Sequence, residues 1–154
     1  MVILKKRVPG VTSASLANFL VRARRAVKLK EKVSVMITSS REMQRLNQKF
    51  RSQHKPTDVL SFPAPAEARN GQAGDVAISA EIATENARRL GHEAAEEIKI
   101  LMLHGVLHLA GYDHENDRGE MARKEQQLRK ALRLPTGLIE RAEGADTCLP
   151  RRLR

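Results

Sequence analysis

The stretch HGVLHLAGYDH, residues 104–114, holds three of the chain's five histidines. His104 and His108 stand four residues apart, the spacing that puts two side chains on one face of a helix. Gly111 permits a sharp turn, and His114 can then return to the same point. Three converging imidazoles are a ligand set that zinc prefers, and they leave a fourth position for water, as in catalytic zinc sites. One Zn2+ per chain, held by His104, His108 and His114, is therefore expected. Zinc proteases use the same spacing but place Glu directly after the first histidine, as the base that activates water. Here that position is Gly105. An amide leaving group needs a proton that such a glutamate delivers, so its loss weighs against peptide hydrolysis. Phosphodiester hydrolysis is less demanding, because zinc brings the pKa of its water toward neutrality. What then needs help is negative charge on the phosphorane, and a fixed cation supplies it.

Cations of that kind gather at Arg41, Arg45, Lys49, Arg51, His54 and Lys55, ahead of the segment PTDVLSF. Most of them read as a solvated helix face. Arg51 stands apart, because it falls where a helix ends and a strand approaches, and a guanidinium can grip phosphate with two parallel hydrogen bonds. Asp113 and Asp117 are near enough to the histidines to orient a ring N–H, with helix capping the equal alternative for Asp117. His54 and His92 have no ligand-type neighbours in sequence and are expected at the surface.

These residues need a scaffold. Strands are predicted at 2–8, 32–38, 59–62 and 75–79, the last two antiparallel. Helices are predicted over 13–28, with Leu16, Leu20, Ala23 and Val27 inward, and over about 40–50, opened by a Ser39/Glu42 capping box. A third helix follows Ser79 and ends at Gly91, burying Ile82, Ala83, Ala87 and Leu90. A fourth opens on Glu93, Glu96 and Glu97, where negative charge suits the helix dipole. Beyond Ile98 it is apolar nearly all round, so it should be central and buried. A fifth is capped by Asp117 and runs to about 132, before Pro135. Residues 63–74 read as a connection rich in Pro, Gly and Ala. The fold class is α+β: one domain over 1–135, a mixed sheet of about four strands packed by about five helices, with the metal site at the end of the central helix. Residues 136–154, with four Arg, read as a basic tail, and Cys148 within it as a bystander.

Composition narrows the partners. A net charge of +10 over 154 residues points to a polyanion. Three Phe, one Tyr and no Trp argue against recognition of free single strands by base stacking. The opening MVILKKRVPG is too short in apolar residues for a signal peptide. The apolar run 100–110 falls far short of the ~20 residues that span a bilayer. A cytoplasmic protein without a membrane partner is expected. A single cysteine excludes an internal disulfide and a Cys-rich zinc site.

Three separated segments, LNQKFRSQHKPTDVLSFP (46–63), GDVAIS (74–79) and HGVLHLAGYDHENDRGEM (104–121), resemble the YbeY family of zinc-dependent endoribonucleases, the ribosomal-RNA maturation factors. The resemblance covers roughly residues 33–128 and accepts Gly105, since glycine there is the family's own pattern. It implies zinc on His104, His108 and His114 and a catalytic role for Arg51. It also implies a small α+β fold and single-strand-specific cleavage in 16S ribosomal RNA 3′-end maturation and ribosome quality control. The partners it implies are ribosomal RNA and the small subunit, with a small-subunit protein and an Era-type GTPase. Two other readings stay open: a ribosome-assembly factor whose zinc is only structural, and a metallopeptidase, which Gly105 and the charge disfavour.

Overall fold

The structure is a computed structural model that describes residues 1–51, 57–68, 70–112 and 118–135, with the side chains of residues 51 and 68 left aside. Its elements run β1 (Val2–Leu4), α1 (Ser13–Val27), β2 (Lys32–Thr38), α2 (Ser40–Arg51), β3 (Val59–Pro63), β4 (Gln72–Ser79), α3 (Ala80–Leu90), α4 (Ala94–Leu109) and α5 (Glu120–Ala131), with a short 3-10 turn at Ala66–Ala68. The sheet order is β1-β2-β4-β3. β1 and β4 flank β2 in parallel, and β3 lies antiparallel to β4, as the sequence predicts for that pair. The fold is thus α+β with a four-stranded mixed sheet and five helices.

Strand alternation sends β-branched residues to one face and mixed residues to the other. Val33, Val35, Ile37, Val59, Val76 and Ile78 join α1 and α4 in the main core. Leu60 and Ala77 face the other way and receive Met43 of α2, with Met36, Leu46 and Phe62 partly buried around them. Helix α4 is buried through Ile98, Leu101, Met102, Leu103, Val106 and Leu107, so its all-round apolarity does mark the central element.

Local chemistry explains most boundaries. Ser79 caps α3 by accepting from the Ile82 N–H at 3.0 Å. Glu93 and Glu96 form a reciprocal capping box on α4. The predicted box on α2 is half formed: Ser39 accepts from the Glu42 N–H, but the Glu42 carboxylate turns to Arg45 at 2.7 Å. A guanidinium one turn along offers a stronger, charge-assisted partner than a backbone amide. The expected first strand stops at Leu4, where Lys5, Lys6 and Arg7 turn outward to water. β4 begins three residues earlier than expected, because Gln72 pairs with Lys32. Gly74 falls inside it at φ +150°, where a Cβ would sit 2.3 Å from the Phe62 carbonyl oxygen. On α3 the buried positions are Ala80, Ala83, Asn86 and Ala87, while Ile82 and Leu90 are only partly covered. α5 begins at Glu120, after Gly119 at φ +91°; the expected cap Asp117 lies outside the described residues, as does the 136–154 segment.

The contact between α4 and the sheet is closest at Gly105. A Cβ there would meet both methyls of Val76 at 2.8 Å and the Ser61 hydroxyl at 3.3 Å. The glycine lets the helix backbone settle onto β4, and its missing side chain would have faced the sheet. Gly105→Glu is therefore expected to destabilise the fold by about 1–3 kcal/mol or more, from overpacking plus a buried carboxylate. Denaturant unfolding would show this, and peptidase assays should gain nothing.

Candidate metal centre and its surroundings

His104 and His108 occupy the last two turns of α4. The apolar core fixes their azimuth: with Leu103, Val106 and Leu107 fully buried, the two rings emerge at the partly exposed side of the helix. Their centroids lie 4.9 Å apart at 72°, edge to face. The spacing thus brings together the two motif histidines that the structure describes. Gly111, at φ +102°, makes the left-handed turn that the sequence requires of it. His114 lies outside the described residues, and so do His54, Asp113 and Asp117. Among the described residues no group of three or more His, Cys, Asp or Glu side chains is arranged to hold a metal ion.

The carboxylate that orients His104 comes from α5, which sequence spacing did not single out. Nδ1 of His104 lies 2.9 Å from Oε1 of Glu125, whose other oxygen accepts from the buried Arg129 guanidinium. Burial opposes ionisation of Glu125, yet His104 and Arg129 outweigh it and hold the carboxyl far below the usual carboxylate range. An anionic Glu125 accepts from Nδ1–H, which selects the tautomer whose Nε2 coordinates a metal. Two imidazoles on one face, one of them oriented by a carboxylate, are the donor chemistry that zinc takes. The residues present therefore fit the metal, with His104 and His108 as ligands. The one available signal for Glu125 was its i, i+4 pairing with Arg129 on a short, largely charged helix.

A second polar cluster lies about two turns back along α4, roughly 10 Å from His104. Asp58 and Glu97 are fully buried, and Asn86 Nδ2 donates to both, at 3.3 and 3.4 Å. His92 Nε2 stands 2.8 Å from Glu97 Oε1, with only 12% of its side chain exposed. His92 is therefore not the surface residue its sequence neighbours suggested. The αL turn at Gly91 swings it back over α4, where Glu97 receives it. The cluster fastens the start of β3 to α3 and α4, and β3 is the strand that follows the segment carrying Arg51. Arg51 itself ends α2, and its side chain lies outside the described residues.

Comparison with known proteins finds one family. A family model described as "Endoribonuclease YbeY" matches residues 5–133. Among similar proteins, an "Endoribonuclease YbeY" of Koribacter versatilis is 55% identical over 141 residues, covering 92% of this chain and 91% of that one. Another of that name, from Solibacter usitatus, is 46% identical over 139 residues, covering 90% and 92%. The solution structure of TM1509 from Thermotoga maritima superposes with a TM-score of 0.57 at 33% identity, covering 86% of this chain and 89% of that one. No helix among the described residues is long and apolar enough to cross a membrane.

Replacing Glu125 by Gln preserves shape but removes the charge that orients His104. Zinc affinity should fall by roughly tenfold or more. Competition with a chromophoric chelator measures it, and unchanged affinity would remove Glu125 from the centre.

Proposed function

The chain belongs to the endoribonuclease YbeY family, and from that premise we propose that it is a zinc-dependent endoribonuclease, cutting single-stranded ribosomal RNA during small-subunit maturation and quality control. The observation that carries this reading is the His104–His108 pair oriented by Glu125, beside a glycine that leaves no room for a protease's base. His114 is the proposed third ligand. Zinc held there supplies Lewis acidity and a water acidified to near-neutral pKa.

The chain's own residues do the rest. Glu125, neutralised by Arg129, holds His104 in one tautomer, so its ring binds without rearranging. Arg51 places a cation where charge builds on the phosphorane, and its planar fork can span two phosphate oxygens. The cluster around Asp58 fixes the start of the strand that follows the Arg51 segment. The +10 charge favours a polyanionic substrate. Ribosomal RNA and the small subunit are the proposed partners, with a small-subunit protein and an Era-type GTPase as associates, in the cytoplasm. A purely structural zinc is the second reading, and the experiment below separates the two.

Arg51→Ala should keep its zinc and its thermal midpoint but lose about a hundredfold or more in cleavage of ribosomal RNA, equivalent to about 2–4 kcal/mol of transition-state stabilisation. Arg51→Lys should recover only part of it. His108→Ala should lose both the metal, by elemental analysis, and cleavage. Metal-loaded wild type that leaves the RNA intact would favour the structural-zinc reading.

A further inference from the structure

Composition weighs against base stacking, but it does not say where the few aromatic rings lie. Phe19 is buried, 2% exposed, between α1 and α4. Phe50 is 58% exposed. Its ring meets that of the half-buried Phe62, centroids 5.3 Å apart at 63°, and Lys49 Nζ lies 5.3 Å from the Phe50 centroid. Two of the three phenylalanines thus share one open place, at the end of α2 and the edge strand β3. The pair extends past the small apolar cluster of Met43, Leu60 and Ala77, so core packing does not account for the exposed ring.

Its position relative to the centre is specific. Phe50 directly precedes Arg51. Phe62 directly follows Ser61, whose hydroxyl reaches the Gly105 carbonyl, next to His104. Phe62 is thus one residue from the strand's contact with α4, on the other face of β3, which is an edge strand among the described residues. Asp75 lies beside Phe62 in register and is exposed, which disfavours a phosphate over the sheet, while the Lys49 ammonium over the Phe50 ring offers one a partner. A base on the rings with its phosphate toward Lys49 satisfies both charges.

We propose that Phe50 and Phe62, with the Lys49 ammonium beside them, form a stacking subsite for one unpaired base of the RNA. This rests on the endoribonuclease reading. Such a subsite accepts any base, since each has a π-face, and excludes a paired one, whose faces are already stacked. It would make the preference for single strands a property of this chain.

The test measures binding of the zinc-loaded chain to three probes: oligoadenylate made cleavage-resistant by 2′-O-methyl groups, the same oligomer without bases, and the fully paired duplex. Phe50→Ala should weaken oligoadenylate binding by about tenfold or more, with thermal midpoint and zinc content unchanged, and should not alter binding of the abasic oligomer. Phe50→Trp should bind at least as well as wild type, and Phe50→Leu, apolar without a π-face, should bind as poorly as Ala. Equal affinity of wild type and Phe50→Ala, an equal loss on the abasic oligomer, or full affinity in Phe50→Leu would each overturn the subsite. Wild type that binds none of the probes at low salt would instead overturn the endoribonuclease reading beneath it.

Discussion

Contact between a helix backbone and a sheet, with no side chain between them, governs this molecule. Gly105 rests on the methyls of Val76. That contact sets the depth of α4 and its rotation about its own axis, and the rotation decides that His104 and His108 reach the partly exposed side. The same seat gives Ser61 of the edge strand its link to the helix carbonyl. A larger residue at 105 would lift or turn the helix, and a histidine pair displaced by an ångström no longer shares a ligand well.

Polar groups buried along α4 depend on the same placement. Glu125 and Arg129 reach His104 from α5, whereas Asp58, Asn86 and His92 converge near Glu97 from three other places in the chain. Buried charges persist only when paired and hydrogen-bonded, so each cluster fixes its elements in one arrangement. One orients His104 and the other holds the start of β3.

Base chemistry at Gly105 and ring chemistry at Phe50 illustrate one point from opposite sides. A zinc-protease spacing with glycine at its second position looks like a site with a part missing. In three dimensions that position faces the sheet, and a side chain placed there would meet Val76 and Ser61 rather than the two histidines. A chain poor in aromatics looks unable to stack bases. In three dimensions two of its rings stand together beside the elements that frame the centre.

The spacing of the histidines, the central burial of α4, the α+β class and the order of nearly all elements were legible along the chain, because each is written in local periodicity, capping residues and a short motif. Gly111 was legible as a turn, since glycine is the residue type a helix C-terminus favours. That Glu125 serves His104, that His92 is held by Glu97, that β1, β2 and β4 run parallel, and that Gly105 is a packing contact emerged only in the fold. Those facts join residues 5 to 44 positions apart through the fold. Sequence periodicity reports which side of an element is apolar, but not which distant polar group will be waiting on the other side.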